Sequence, residues 1–359
     1  MAGAYHTGRS DDPLFGANHL TSVRWVLAGL VALGHLWLLT TAYEPFRIHD
    51  WTGGYMAVNG FFVLSGLLIA KSLHTRGDLK SYTKSRLLRI YPALIVMGVA
   101  FALIFAPFFS EPGGISRIWA PETSRYVFRV LLMGNPEQAP GGIFAGSLEQ
   151  DFNGPLWTIR FEMAAYILAA LGFFLGLVTS FGRVLCLYLI VQIAYLVAPH
   201  FIDFSGLPAG ALSLLRLSSA FLMGMVLWHW PQARRPHFAI VAGLIALFFL
   251  FGASPIGEWL ANLALASVIL RLGLSKRRIK PLVKLPDYSY GIYIWHYPVM
   301  QGVLFLRPDL GPYWLAAYSV PVFIGLSALS WHLIEKPALK LKRTAKPKAV
   351  LVDESGGAV

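Results

Sequence analysis

The chain is a succession of apolar runs of about 20 residues, the length an α-helix needs to cross the hydrocarbon core of a bilayer, separated by short polar segments. That pattern excludes most folds before any motif is considered. Only 13% of the residues are charged, whereas a soluble domain carries about a quarter. The expected fold class is therefore all-α: a polytopic transmembrane helical bundle.

Apolar runs and their polar flanks place about ten spanning helices, near 21–41, 53–71, 88–109, 155–178, 182–199, 210–230, 237–252, 256–273, 288–306 and 313–334. Residues 1–20 read as a cytoplasmic segment, 21–337 as the transmembrane domain, and 338–359 as a basic, partly disordered cytoplasmic tail. The piece Tyr126–Met133 is apolar but too short to span, so it either lies in the interface or re-enters. Residues 1–20 lack the basic-apolar-small order of a cleaved signal peptide, which leaves the first helix as an uncleaved anchor.

The formal charge of +12 does not point to nucleic acid, because the basic residues sit in blocks between apolar runs. With both termini in the cytoplasm, three blocks fall inside. These are Lys71 to Arg89, Arg271 to Lys284 and Lys336 to Lys348, while Arg47, Arg117, Arg125, Arg129 and Arg307 fall outside. An even helix count satisfies this positive-inside asymmetry and an odd one scrambles it. The one long external segment, about 110–154, carries Glu111, Glu122, Glu137, Glu149 and Asp151 and reads as a lid or acceptor-binding element. A single Cys186 allows neither an intrachain disulfide nor a cysteine metal cluster.

Ionisable side chains inside spanning helices are costly and so are candidates for function. His35 lies in the middle of helix 1. Arg24 lies eleven residues earlier, on the same face and about 16 Å nearer the cytoplasm. Neutral imidazole suits proton acceptance near neutral pH; the structural alternative is a hydrogen bond to a neighbouring helix. Glu162 sits near the outer end of helix 4 and is placed to orient an imidazole or a sugar hydroxyl. Its structural alternative is a charge pair, with Arg216 a better partner than Arg160, which points to nearly the opposite side. Arg86 and Arg89 share a face at the start of helix 3. Two guanidinium forks side by side suit phosphate, and ordinary anchoring by positive-inside residues is the alternative. Pro298 leaves the Ile294 carbonyl without its usual donor, so a kink and a polar pocket are expected around His296. The glycines and Ser65 of Asn59 to Gly66 read as a close helix approach.

The order of these pieces is more specific than any one of them. Arg24-x10-His35, Phe61-Phe62-Val63-Leu64-Ser65-Gly66, Arg86-x2-Arg89-Ile90-Tyr91-Pro92, Leu156-Trp157-x4-Glu162-x3-Tyr166, Ser289-Tyr290-Gly291-Ile292-Tyr293-x2-His296-x-Pro298 and Glu335-Lys336-Pro337 follow one another along the chain. In this it resembles the membrane-bound acyltransferase-3 family of the bacterial inner membrane, whose members acylate surface and secreted glycans. Thr21-Ser22 and Asn59-Gly60 stand where that family commonly has Asp-Gly and an acidic residue.

The resemblance implies acyl-CoA, most often acetyl-CoA, as co-substrate, with no permanently bound cofactor and no metal. It implies donor phosphates on Arg24, Arg86 and Arg89, and transfer at His35, acting as general base or transient acyl carrier, with Glu162 beside it. Ser65, Trp157, Tyr166, Tyr293 and His296 would line the substrate pocket. The acceptor would be a carbohydrate hydroxyl, on an exopolysaccharide or another glycan, polyprenyl-linked carriers included. The other partners would be membrane lipids, not nucleic acid. The rival reading is a transporter or flippase, which predicts internal repeat symmetry that the sequence lacks.

Overall fold

In the computed structural model the described residues are 12–76, 78–133, 140–149, 151–203 and 210–342. They form a mostly helical bundle. Its helices are α1 (Leu20–Thr41), α2 (Gly53–Arg76), α3 (Leu79–Ala100), the short α4 (Ala106–Phe108), α5 (Pro121–Leu131), α6 (Trp157–Phe174), α7 (Phe181–Val197) and α8 (Ala211–His229). They continue with α9 (Phe238–Phe251), α10 (Gly257–Gly273), the short α11 (Lys280–Val283), α12 (Ser289–Leu306), α13 (Pro312–Ser330) and α14 (Lys336–Lys340). A two-residue antiparallel hairpin, β1 (Arg47–Ile48) with β2 (Trp51–Thr52), caps one end.

Each of the ten expected runs is a helix. Six stretches among the described residues are long and apolar enough to cross a membrane: Leu20–Thr41, Gly53–Thr75, Leu79–Phe108, Gly154–Phe174, Ala211–His229 and Pro312–Lys340. The other four, α7, α9, α10 and α12, have 17, 14, 17 and 18 residues. α12 is buried along nearly its whole length and faces protein on all sides, so it carries more polar groups than a lipid-facing helix tolerates.

Two of these continuous stretches contain a wide turn, each for the same reason. Pro107 and Pro337 have no N–H to offer the carbonyl four residues back. Just before them the ladder slips, so that Ala106 N–H reaches Phe101 O and Lys336 N–H reaches Trp331 O, five residues away. The second wide turn buries Glu335, only 2% exposed, and Ser330 Oγ donates to its Oε1 at 3.0 Å.

Helix α3 begins at Leu79, nine residues before the expected start at 88. Asp78 caps it, its carboxylate accepting from Ser81 N–H at 2.8 Å and Lys80 N–H at 3.2 Å. The polar run Lys80 to Arg86 hid that helix from a hydropathy reading, although the cap residue was visible. Pro92 therefore lies inside the helix and not in its first turn.

The tightest packing joins α2 to α8. A Cβ on Gly66 would fall on the Phe221 carbonyl, and one on Gly224 on the Val63 carbonyl, so both backbones depend on glycine here. Gly66→Val is expected to destabilise the fold by at least about 3 kcal/mol, the upper part of the range for overpacking, read as a lowered midpoint of thermal unfolding in detergent.

At the end of the bundle that carries the hairpin, Asn59 Nδ2 donates to Glu258 Oε1 and to Asn262 Oδ1, both at 2.9 Å, and the Tyr55 and Tyr195 hydroxyls also bond Glu258. The residue that departs from the family pattern thus binds a carboxylate brought by α10. Of the segment from 110 to 154, residues 110–133, 140–149 and 151–154 are described, and they include α5. This helix runs back down the side of α3. Tyr126 stacks near Phe101, Val127 sits against Gly98, and the Leu131 carbonyl accepts from the Tyr91 hydroxyl at 3.1 Å. The five-residue interval from Tyr126 to Leu131 corresponds to a descent of about 7.5 Å along α5. Phe128 on its outer face is 64% exposed. The piece Tyr126–Met133 is thus mostly helical and packs along α3. Glu137 lies outside the described residues, as do residues 1–11 and 343–359.

Candidate active site

The central element is α12. Pro298 deprives the Ile294 carbonyl of a donor, and the buried Asn153 side chain supplies one, Nδ2 to O at 2.8 Å. This bond fastens α12 to the chain entering α6. Gln301 Nε2 extends the attachment by donating to the carbonyls of Glu149, at 2.7 Å, and Asp151, at 3.2 Å. The kink expected from sequence is here a polar anchor for the long loop.

His296 projects from this turn and is 0% exposed. Its Nδ1 lies 2.8 Å from the Ile292 carbonyl, and its Nε2 lies 2.8 Å from Nδ1 of His35 on α1. The two rings meet edge to edge, 5.1 Å between centroids and 15° from parallel. Tyr297 stands edge-on to His35 at 5.1 Å, against Gly154 of the loop. His35 keeps partial exposure, so one ring edge remains free for a reactant. The structural alternative for His35, an interhelical hydrogen bond, is thus realised at one nitrogen only.

Below this pair, toward the end rich in Lys and Arg, lies a cavity of about 410 Å³. Arg24, Ser65, Arg86, Arg89, Glu162, Tyr166 and Tyr293 all line it, so seven of the ten sequence-selected residues converge on one space. Five cations, including Lys71 and Lys342, face two carboxylates, Glu162 and Asp287. The inner limit is formed by Phe61, Thr158 and Tyr293, with the Tyr293 hydroxyl 2.7 Å from Thr158 Oγ1 and 3.0 Å from the Pro155 carbonyl. His35 and His296 are not among the lining residues; they lie beyond Tyr293, which is one turn before His296 on α12.

Trp157 is also outside the lining. It packs on Phe161 and under the Arg216 guanidinium, 5.8 Å from its ring. Arg216 itself sits 3.9 Å over the Tyr55 ring. Glu162 does not use Arg216 as a partner: its Oε1 takes hydrogen bonds from Ser65 Oγ at 3.4 Å and from the Tyr166 hydroxyl. The suspected Glu162–Arg216 pair fails because Arg216 turns into the aromatic pocket of α2 and α6, where its charge is met by ring faces.

Sequence reasoning missed Asp287, which organises the basic mouth. It lies just before α12, and Arg24 Nη2 and Arg89 Nη2 each stand 2.9 Å from its Oδ2. Ser289 Oγ donates to its Oδ1 at 2.6 Å. Burial pushes the carboxyl up, but the Arg89 and Arg24 guanidiniums outweigh it and hold it at about 2. Glu335 adds a longer contact to Arg89, 3.7 Å. Arg24 and Arg89 are thus positioned by a shared carboxylate. Arg86 has its Nε on Ser85 Oγ at 3.1 Å and its guanidinium near the rings of Tyr82 and Tyr166. The available signal was one acidic residue at the end of a basic block.

The acyltransferase domain family matches residues 18–332, and the chain belongs to this family of membrane acyltransferases. It is 24% identical over 328 residues to an O-acetyl transferase of Shigella phage Sf6, covering 89% of this chain and 95% of that protein. It is 28% identical over 357 residues to nodulation protein 10 of Rhizobium leguminosarum bv. viciae, covering 90% and 94%. It is 24% identical over 341 residues to the O-acetyltransferase OatA of Staphylococcus aureus, covering 80% of this chain and 53% of that protein. No solved structure matches. The protein is an acyltransferase.

Proposed function

We propose that this enzyme takes an acyl group, acetyl in the simplest case, from acyl-CoA held at the basic end and places it on a hydroxyl of a carbohydrate at the opposite end. The topology proposed with it has ten spans in a bacterial inner membrane, with both termini and the basic end in the cytoplasm. The observation that carries the reading is the cationic cavity leading toward a hydrogen-bonded histidine pair. The name of the phage relative, an O-acetyl transferase, supports the same chemistry.

Donor phosphates would bind Arg86, Arg24 and Arg89 at the mouth, the latter two preset by Asp287, with Lys71 and Lys342 nearby. The pantetheine arm would run the roughly 16 Å of α1 between Arg24 and His35. On this path Tyr293 must move aside, since its bonds to Thr158 and Pro155 close the inner limit of the cavity. His35 takes the proton of the acceptor hydroxyl as the C–O bond forms and the C–S bond breaks. The proton then passes to the departing CoA thiolate. Glu162, Ser65 and Tyr166 form a hydrogen-bonded group on the donor side and are assigned to holding the acyl-pantetheine portion.

The reading is tested with labelled acetyl-CoA and membranes of the producing cell. Label should reach carbohydrate in membranes holding the wild-type protein and not in those lacking it; transfer without CoA dependence would overturn the proposal. Arg86→Ala is expected to raise the KM for acetyl-CoA about 10- to 100-fold, the loss of one or two charge-assisted hydrogen bonds, with a smaller effect on kcat. An unchanged KM would remove Arg86 from the donor site.

A further inference from the structure

We infer that His296 is a positioning residue that fixes the tautomer of His35, holding its proton on Nδ1 and leaving Nε2 as the proton-accepting atom. This rests on the reading of His35 as the base and adds which of its two nitrogens acts and what selects it.

The argument starts from an atom that cannot donate. The Ile292 carbonyl only accepts, so His296 Nδ1, 2.8 Å away, carries a hydrogen. A neutral His296 then presents a lone pair at Nε2. That lone pair lies 2.8 Å from His35 Nδ1, and two lone pairs at this distance would repel. His35 Nδ1 therefore carries the second hydrogen, and His35 Nε2 is left bare. The other arrangements add a proton: on His296 it would put a cation at a fully buried position, and on His35 Nε2 it would leave an imidazolium, the state proposed to form only during transfer. The rings packed against it are those of His35 on α1, Tyr293 and Tyr297 on α12 and Phe323 on α13. Among the described residues neither histidine has a carboxylate partner.

The arrangement works against a natural preference. A neutral imidazole in water favours the proton on Nε2, which would block the nitrogen on the free edge of His35. Which nitrogen is protonated is decided by the hydrogen bond the other one makes. Here that bond is anchored on the helix backbone itself, within the turn stiffened by Asn153 at Ile294. When His35 accepts the acceptor proton it becomes imidazolium, and its Nδ1–H bond to His296 becomes charge-assisted and stronger. The pair thus favours the charged state formed during transfer.

The test uses the full-length protein in detergent with ¹⁵N-labelled histidine. The ring nitrogens of His35, assigned by their loss in His35→Gln, report the tautomer directly. In parallel, thiol release from acetyl-CoA is followed with water as acceptor. Two variants separate positioning from packing. His296→Gln can still donate to Ile292 and accept from His35 through its amide oxygen, and it should keep the Nδ1–H tautomer and release thiol within about 10-fold of wild type. His296→Phe can do neither. It should move the His35 proton to Nε2 and lower kcat by about 10²- to 10⁴-fold, with the KM for acetyl-CoA unchanged. A wild-type spectrum with the proton on Nε2, or a His296→Phe variant with wild-type tautomer and kcat, overturns the inference, as does a Gln variant as inactive as Phe at equal thermal stability. If wild-type protein releases no thiol, the reading of His35 as base fails, while the spectra still decide what His296 does.

Discussion

His35→Ala is expected to lower acyl transfer by about 10²- to 10⁴-fold, the usual contribution of a positioned general base, while acetyl-CoA still binds. The expectation follows from the separation of parts. The basic cavity ends at Phe61, Thr158 and Tyr293, and His35 is not in its lining, so removal of the imidazole should leave the proposed phosphate-binding end intact. The substitution does leave His296 Nε2 as a buried acceptor with no donor, at a cost of about 1–3 kcal/mol. Equilibrium binding of acetyl-CoA and the thermal midpoint should therefore be measured beside turnover. Transfer at the wild-type rate would show that His35 neither activates the hydroxyl nor carries the acyl group.

The second large effect belongs to Asp287. Asp287→Ala leaves Arg24 and Arg89, both 2.9 Å from one oxygen, side by side with their shared counter-charge gone. Breaking a buried ion pair from one side costs about 3–5 kcal/mol, and a lower thermal midpoint in detergent is the readout. The sign of the pH dependence is fixed. A carboxyl whose value falls from 3.8 unfolded to about 2 folded contributes its full stabilisation above the unfolded value and loses it as pH falls through about 2. The shift corresponds to roughly 2.5 kcal/mol. The contribution of Asp287 itself should accordingly hold above about pH 5 and shrink only in strong acid. A change in the penalty across neutral pH would belong to Glu335, whose buried carboxylate also contacts Arg89 at 3.7 Å. Adding CoA should recover part of the lost stability, because its phosphates can take the place of the missing carboxylate.

What was legible in the sequence had a short range. Apolar run length placed the ten long helices, and the eleven-residue interval of Arg24 and His35 placed both on α1. Pro298 announced an orphaned carbonyl, though not that Asn153, some 140 positions earlier, would satisfy it. Pairings across helices stayed hidden, because periodicity says which face a residue occupies and nothing about which helix meets that face. His35 and His296 were each selected, yet as separate candidates. Asp287 looked like an ordinary loop residue until two arginines from α1 and α3 were seen to converge on it. Arg216, judged by charge alone, is only the structural alternative for Glu162; ring faces are its nearer partners. The start of α3 was missed because an amphipathic entry turn has no hydropathy signal, whereas its cap at Asp78 was readable.

One stretch of chain has two attachments. Asn153 grips the carbonyl of Ile294, and Pro155, two residues on, receives the hydroxyl of Tyr293. The inner limit of the cavity and the foot of the loop that enters α6 are consequently the same few atoms. A shift of residues 153–155 cannot leave Tyr293 where it stands. If the proposed function holds, the molecule is built like an airlock with a common partition, in which a disturbance on the acceptor side would reach Tyr293 on the thioester side.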